Sequence, residues 1–571
     1  MPSFKFTNPM KNLILVLSLF IFILPLYAGN PVSVPIHYEI YRFLDRMETL
    51  GILDNILDGV KPFDREHISE LLIKINLQRE KLTRIDRDKL DNYLLDFRFE
   101  IDNTRKYLQI NNHKDWYTPF ATWSQIKKDF FRLFAKNHPE ENNYLFLWED
   151  STNSFYTEFI YNFTYEHRSD DVYRNKDVMT FVLRGSILNN FGYMTEVSFA
   201  NIHGDEQYRN TDPFLKNSMI NNREGVTYFD RSGGDIAYRS PYVDFHFAMQ
   251  PISWGLGESG VLLLSDNVEQ FPYFSISKYW SWGNFTYLHG KLLADSIGVT
   301  EQGQSIHPDK WVVSNRFEFS PFSGMAIGLT GLIIYGNRSV DWAYLFPLNY
   351  LRATEHNLQD RDNALLAIDI ESRISSGAKI YGTLLIDELR KDKLGTDWYG
   401  NKHGYQLGIH LTDPFGVPNI GLRFEYLAIM PWVYTHKYDI NRYVSNLSPL
   451  GYWAGPNSEI FYIHLEKEWH WRLISGLKWR QWNHGANYPN KNIGGDILLG
   501  HKTLVGNQEK PVETRKFLEG IPETEKKFEF YTRYEVFNDF YLNFKVVNTK
   551  YSNPDKSINL TELYFGIRFD Y

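Results

Sequence analysis

The stretch TELYFGIRFDY, from Thr561 to Tyr571, decides the fold class. Every second side chain in it is apolar, namely Leu563, Phe565, Ile567, Phe569 and Tyr571. The alternate positions hold Glu562, Tyr564, Arg568 and Asp570. Because successive side chains of a strand point to opposite faces, the pattern predicts a strand with one apolar and one polar face. The aromatic final residue predicts a strand that is held to its end instead of fraying.

The same alternation recurs upstream, beginning at about residue 143. FEFYTRYEVF (528–537) and FYLNFKVV (540–547) form a predicted hairpin across Asn538 and Asp539, and an aromatic face runs from Phe155 to Tyr165. The C-terminal stretch resembles the last strand of bacterial outer-membrane β-barrels. That strand must close the barrel, because lipid cannot form hydrogen bonds with the backbone N–H and C=O groups of an open sheet edge. A soluble β-sandwich or propeller is the less favoured alternative.

The composition agrees with strands as the membrane-spanning elements. The 571 residues have a mean hydropathy of −0.40 and 16% aromatic residues, and only the N-terminus carries a long apolar run, so a helical membrane bundle is excluded. Strands of about 10 residues with connections of similar or greater length give roughly 16 to 20 strands between residue 143 and the end. We therefore predict a mainly β fold, a large antiparallel transmembrane β-barrel over residues 143–571.

A separate helical region is expected before the barrel. Residues 1–28 have Lys5 and Lys11 ahead of an uncharged run and Ala28 at its end, the form of a secretory signal peptide. Apolar residues at helical spacing then predict helices near 37–50, after Asp64, and from Thr83 to Ile101. WSQIKKDFFRLFAK (123–136) predicts a basic amphipathic helix that either lies at a membrane surface or packs on its neighbours. Residues 29–142 are thus a predicted small helical bundle.

No catalytic or cofactor motif is found. The absence of cysteine excludes disulfides and Cys-ligated metals, and a net charge of −8 without a basic tract argues against nucleic acid. GLGESG (255–260) matches G-x-G-x-x-G, but no strand–helix–strand unit surrounds it, so a turn is favoured. Asp360, Asp362 and Asn363 lack EF-hand spacing and are interpreted as a polar loop. We expect no metal, no cofactor and no enzymatic activity.

Several segments resemble the Wzi-type capsule assembly family of outer-membrane proteins. They are VPIHYEIYRFLDRMETLGIL (34–53), KPFDREHISELL (61–72), PISWGLGESGVLLLSDNVEQFPYFSI (251–276), FPLNYLRATEHNLQDRDNALLAIDIESRI (346–374) and YTHKYDINRYVSNLSPLGYWAGPNSEIFYIHLEK (434–467). The resemblance implies a barrel of eighteen strands with a helical bundle on its periplasmic side. It also implies a non-enzymatic role in holding or organising surface polysaccharide.

Sugar recognition needs exposed aromatic faces beside polar side chains, because pyranose C–H surfaces stack on rings while hydroxyls form hydrogen bonds. Loop segments that combine the two predict glycan contacts, although packing at a barrel rim explains the same aromatics. Basic loop and lumen residues such as Arg361 would have to attract an acidic polymer to this acidic protein. The candidate contacts are Trp254, Asp266, Asn267, Arg361, Tyr434, His436, Tyr443, Trp453 and Asn457.

We therefore predict an outer-membrane protein that binds, attaches or helps to assemble capsular or exopolysaccharide. The alternatives are a porin-like channel for small solutes and, less favoured, an outer-membrane enzyme acting on lipid or glycan. The expected partners are surface polysaccharide, outer-membrane lipid and the barrel-assembly machinery.

Overall fold

Residues 29–106, 116–118, 144–215 and 221–571 are described by the computed structural model. Within the described residues, four α-helices precede the barrel: α1 Ile40–Leu50, α2 Arg65–Asn76, α3 Arg84–Asp96 and α4 Arg98–Lys106. Asp64 and Thr83 cap α2 and α3, each accepting a hydrogen bond from a backbone N–H of the first turn. The single helix predicted from Thr83 to Ile101 is wrong, since Phe97 leaves helical geometry and separates α3 from α4.

Eighteen strands form one closed antiparallel barrel, as predicted. They are β1 Ser154–Arg168, β2 Val172–Ile187, β3 Phe191–Gly204, β4 Val226–Arg239, β5 Asp244–Met249, β6 Pro272–Trp280, β7 Gly283–Leu292, β8 Lys310–Phe322, β9 Met325–Gly336, β10 Asn363–Ser375, β11 Ala378–Glu388, β12 Lys402–Thr412, β13 Ile420–Ile429, β14 Ser458–His470, β15 Leu473–Ala486, β16 Ile521–Phe537, β17 Phe540–Ser552 and β18 Ser557–Asp570.

The C-terminal strand closes the barrel. β18 pairs with β17 on one side and with β1 on the other, where Phe569 lies opposite Tyr161 and Ile567 opposite Phe163. Tyr571 follows the strand and donates its N–H to the carbonyl oxygen of Phe159 at 2.8 Å. No edge of the sheet is therefore left open at the seam.

The outer face of the barrel is apolar. Phe565 is 43% exposed and Leu563 is 45% exposed, and comparable side chains occur at alternate positions around the wall. Further members of this face are Phe528, Phe544, Leu477, Leu407, Ile368 and Leu329. Such an apolar exterior is typical of strands that face lipid.

The two ends of the barrel differ. At one end the strands are joined by short turns, such as Asn538 and Asp539 between β16 and β17. At the other end most connections are long, and they carry α5 Glu206–Arg209 and α6 Leu351–Asn357. The described residues 29–106, which contain α1 to α4 and are called the helical region, cover the short-turn end. There Arg373 donates to the carbonyl oxygen of Leu53 at 2.8 Å, and Arg46 contacts Asp413 at 2.7 Å.

Two long connections fold back into the lumen. Residues 250–271, after the short strand β5, meet the helical region, since Gly255 donates its N–H to the carbonyl oxygen of Gly59 at 2.8 Å. Residues 430–457 pack on them, and the Tyr434 hydroxyl donates to the carbonyl oxygen of Leu262 at 2.6 Å. We call these two connections the lumen plug.

Two elements of the N-terminal prediction lie outside the described residues. They are the signal peptide over 1–28 and the basic amphipathic helix over 123–136. Within the part of the chain that the structure describes, no helix combines the length and apolarity needed to cross a membrane.

Candidate functional site

The lumen has a packed side and a polar side. On the packed side, inward side chains of β7 to β14 bury the lumen plug, and around Leu262 and Leu263 the contact is apolar. Leu262 and Leu263 of the plug are at most 1% exposed. The wall residues of this core are Leu288, Leu292, Val312, Leu332, Ile334, Leu365, Leu385, Leu427 and Ile460. This part of the lumen is therefore a hydrophobic core inside a barrel.

The GLGESG segment of the plug contacts the barrel wall, the second plug connection and the helical region. Glu258 contacts Arg423 of the wall at 2.6 Å, and Ser259 receives a hydrogen bond of 3.0 Å from the Tyr452 hydroxyl. A Cβ on Gly257, whose φ is +139°, would lie 2.2 Å from Nε2 of Gln406. The glycines therefore permit a close approach of backbone to wall, which agrees with the predicted turn.

Charge is concentrated where the plug, the wall and the helical region meet. Burial alone would raise the pKa of Asp45, but Arg423 and Lys379 hold it well below its ordinary value. The Lys379 ammonium lies 2.7 Å from Asp45 and 2.6 Å from Glu48. These pairs neutralise charges that would otherwise be buried alone, so they fasten the helical region to the wall.

The polar side is formed by inward residues of β15 to β18 and β1 to β4. Most of these side chains are half-buried, which leaves them accessible from the lumen. Most cations here have a carboxylate partner: Arg174 contacts Glu166 at 2.6 Å and Arg184 contacts Glu158 at 2.8 Å. Aromatic rings cover several of them, as Tyr208 covers Arg174 at 4.4 Å. Aromatic faces beside charged groups are the surface that a sugar chain requires.

A stacked group lies where the polar side reaches the long-loop end. The Arg480 guanidinium is 4.1 Å from the ring centroid of Trp453, and Trp482 lies 6.0 Å from the same ring. His484 stacks on Trp482 at 5.2 Å. We call Trp453, Arg480, Trp482 and His484 the mouth stack. Nε1 of Trp453 is buried against the rest of the plug, so the stack offers its rings and not this N–H.

A cavity lies at the opposite end of the polar side, against the helical region. Its volume is about 380 Å³, and it is lined from the wall by Asn162, Asn543, Tyr541 and Arg568 and from the helical region by Tyr38. Burial raises the pKa of Tyr38 above its ordinary value, so its hydroxyl stays protonated and can donate. The polar side thus runs from the mouth stack down to this cavity.

Four of the predicted glycan contacts are buried in the loop core. Trp254 is 2% exposed, and Tyr434 and Tyr443 are fully buried and stack on each other at 5.1 Å. Asn457 is fully buried and donates to the carbonyl oxygens of Gly485 and Glu519. The expectation that these residues are exposed is wrong. They hold the long connections together because these connections fold inward instead of standing above the barrel.

The other five predicted contacts are more accessible but do not form one site. Asn267 anchors its loop by donating to the carbonyl oxygen of Pro449 at 2.9 Å, and Asp266 lines the charged junction. Arg361 lies 3.4 Å from Asp341 in another loop. Burial lowers the pKa of His436 to about 4, so it is neutral at pH 7. Among these residues only Trp453 lies on the polar side, in the mouth stack.

One group of possible metal ligands occurs among the described residues, at Glu355, His356 and Asp360. Two cations already approach it: Arg352 lies 3.3 Å from Glu355 and Lys437 lies 3.8 Å from Asp360. The protein's own side chains therefore balance these carboxylates.

The remaining residues of the polar side were not among the predicted contacts. Lys478 and Arg480 alternate with apolar residues in the sequence, but alternation does not show which strands line the accessible side. For Tyr531, Lys545 and Tyr564, too, the sequence does not show whether their strands line the accessible side.

Comparison with known proteins identifies the family. The family model for the capsule assembly protein Wzi matches residues 150–562. The chain belongs to this Wzi family. Among solved structures, Wzi of Escherichia coli is described as an outer-membrane protein involved in group 1 capsule assembly and a carbohydrate-binding β-barrel. It is 12% identical, the match covers 95% of this chain and 99% of that one, and the TM-score is 0.55, which supports the same fold.

More distant barrels also match. OccD3 of Pseudomonas aeruginosa is 12% identical with a TM-score of 0.41, covering 73% of this chain and 91% of its own. OprD of the same organism is 10% identical with a TM-score of 0.40, covering 73% and 93%. These scores are too low to support a conclusion about this Wzi family member. No curated protein sequence matches the chain.

Proposed function

We propose that this Wzi family member is a non-enzymatic outer-membrane protein that binds surface polysaccharide and helps to attach or assemble it. The observation that carries the proposal is the mouth stack: two indole rings and a guanidinium meet where the polar side opens to the long loops, in a chain of a capsule assembly family. The packed side supports binding over transport, because the lumen plug fills the part of the lumen that a wide pore would need.

We also propose an orientation and an export route. Single-chain outer-membrane barrels have short periplasmic turns and longer external loops. By this rule the helical region would face the periplasm and the mouth stack would face outward. Residues 1–28 would act as the signal peptide and 29–142 as the periplasmic bundle, ahead of the barrel at 143–571. The apolar outer face would contact outer-membrane lipid after insertion by the barrel-assembly machinery.

Binding of the source organism's polysaccharide to the purified protein tests this function. Trp453→Ala removes the ring that Arg480 covers, and we expect about tenfold weaker binding, since aromatic contacts contribute on the order of 1 kcal/mol beyond their buried area. Trp342→Ala is the matched control, because Trp342 is an 84% exposed ring on another long connection. Equal binding by both variants and the wild type would contradict the role of the stack.

Two further measurements separate the functional classes. A deletion strain should make the polymer normally but retain less of it on the cell; unchanged retention would count against attachment. In planar bilayers the wild type should show no large stable conductance, whereas an open channel would favour a porin.

A further inference from the structure

Two lysines on the polar side form no ion pair with the described residues, although Glu529 and Glu166 lie near Lys545. Lys527 and Lys545 point into the lumen from β16 and β17, and no ion pair is formed by either within the described part of the chain. Neighbouring lumen cations do have partners: Arg480 lies 2.6 Å from Glu525, and Arg568 lies 2.7 Å from Asp570. An unpaired ammonium inside a barrel attracts an anion more strongly than a paired one does.

Tyrosine rings flank these lysines. Lys545 lies opposite Tyr531 on β16 and opposite Tyr564 on β18, and its ammonium is 3.9 Å from the Tyr564 ring centroid. Lys478 on β15 approaches the Tyr531 ring at 5.2 Å. We call Lys478, Lys527, Lys545, Tyr531 and Tyr564 the lysine row. It crosses four adjacent strands, so its width is about 15 Å at a strand spacing of about 4.8 Å.

The row lies between the two ends of the polar side. Arg480 of the mouth stack lies opposite Lys527 in the sheet register, and Asn543 of the cavity is the next inward residue below Lys545 on β17. All five members are half-buried, hence accessible from the lumen. The row therefore forms a continuous surface with both ends.

We propose that the lysine row binds the carboxylate of an acidic sugar unit, so that an anionic polysaccharide segment is held inside the polar side of the lumen. The ammonium groups pair with the carboxylate, and the tyrosine rings stack on the sugar face. This inference rests on the proposed function and adds to it both a ligand charge and a site below the mouth stack.

Binding of two oligosaccharides of equal length to the full-length protein tests the charge. An oligogalacturonate should bind at least tenfold more tightly than a neutral malto-oligosaccharide, and Lys527→Gln combined with Lys545→Gln should abolish this preference. Lys550→Gln is the matched control: it removes a lysine from the same strand at an exposed, outward position. Equal affinity of the wild type for both sugars, or an unchanged preference in the double variant, would overturn the proposal.

Thiol labelling tests the place, because the protein contains no cysteine. Asn543→Cys puts a single thiol beside the row, and its labelling rate should fall severalfold when oligogalacturonate binds, while that of Lys550→Cys stays unchanged. Unchanged labelling at position 543 with bound ligand would overturn a lumen site. Heat-shifted mobility in SDS shows that each variant has folded.

The native polysaccharide separates the two proposals. If the wild type binds it but shows no preference for the uronate, only the lysine row is wrong. If neither the native polymer nor the uronate binds, both the lysine row and the proposed polysaccharide-binding function are wrong.

Discussion

The packed and polar sides of the lumen are built from strands with the same alternation, yet they differ in what their inward residues do. On the packed side, Leu332 and Leu385 are at most 1% exposed beneath the lumen plug. On the polar side, Lys545 and Tyr564 lie against each other and remain partly exposed. The difference shows that an inward position in a large barrel belongs to a core only where another part of the chain covers it.

Removing the lumen plug should have the largest effect, because it would uncover the packed side of the lumen. Replacement of residues 255–264 by a short Gly-Ser linker removes Leu262, Leu263 and Leu264 from the core, and we expect stable conductance in planar bilayers where the wild type has none. The control is a shortened hairpin Gly298–Val299 with Ser305–Ile306, which is exposed and whose loss should cause no conductance. If the barrel without its plug also fails to conduct, the plug does not occlude the lumen.

Matched leucine truncations compare the two sides in energy. Leu263→Ala should lower the free energy of unfolding by about 2–5 kcal/mol, because it creates a cavity in a closed core. Leu560→Ala on the polar side should cost less than about 1 kcal/mol, since the half-buried side chain has less packing to lose. Urea unfolding from lipid vesicles measures both. Equal losses would mean that the polar side is also packed.

A glycine substitution tests the contact between plug and wall. Gly257→Ala should destabilise the protein by about 1–3 kcal/mol, since it combines a positive φ with a Cβ placed 2.2 Å from Gln406 Nε2. Gly303→Ala has a φ of +78° but open space around the new Cβ, so its loss should be smaller. The same unfolding measurement applies, and a larger loss at Gly303 would contradict the close approach.

The smallest effect is a local pH dependence at the long-loop end. Burial raises the pKa of Glu355 from 4.5 to about 7, against the effect of Arg352. The folded loop therefore binds more protons than the unfolded one between these values, and its stability falls as the pH rises from about 4.5 through about 7, by up to about tenfold per pH unit.

Hydrogen exchange of α6 measures this dependence. After correction for the intrinsic chemical rate, protection should decrease over that pH range in the wild type and remain constant in Glu355→Gln. A constant protection in the wild type would show that Glu355 is already ionised at low pH.

The fold could be predicted from local pattern because alternation and strand length follow directly from residue order. The C-terminal strand, the Asn538 and Asp539 hairpin and the polar inward face needed no knowledge of distant contacts. The helix prediction was wrong at Phe97, where one predicted helix is divided into α3 and α4. The binding residues could not be predicted in the same way: Trp254 and Tyr434 lie in polar loop segments, but their loops turn into the lumen and bury them.

The sequence by itself determined that this chain forms a barrel, which strand faces are apolar, and which family it resembles. Those properties depend on neighbours along the chain. Only the tertiary structure decided which inward residues are covered and which remain open, because residues 250–271 and 430–457 meet strands far away in sequence. Lys545 and Leu385 both point inward, and only the fold of the plug makes one accessible and the other core.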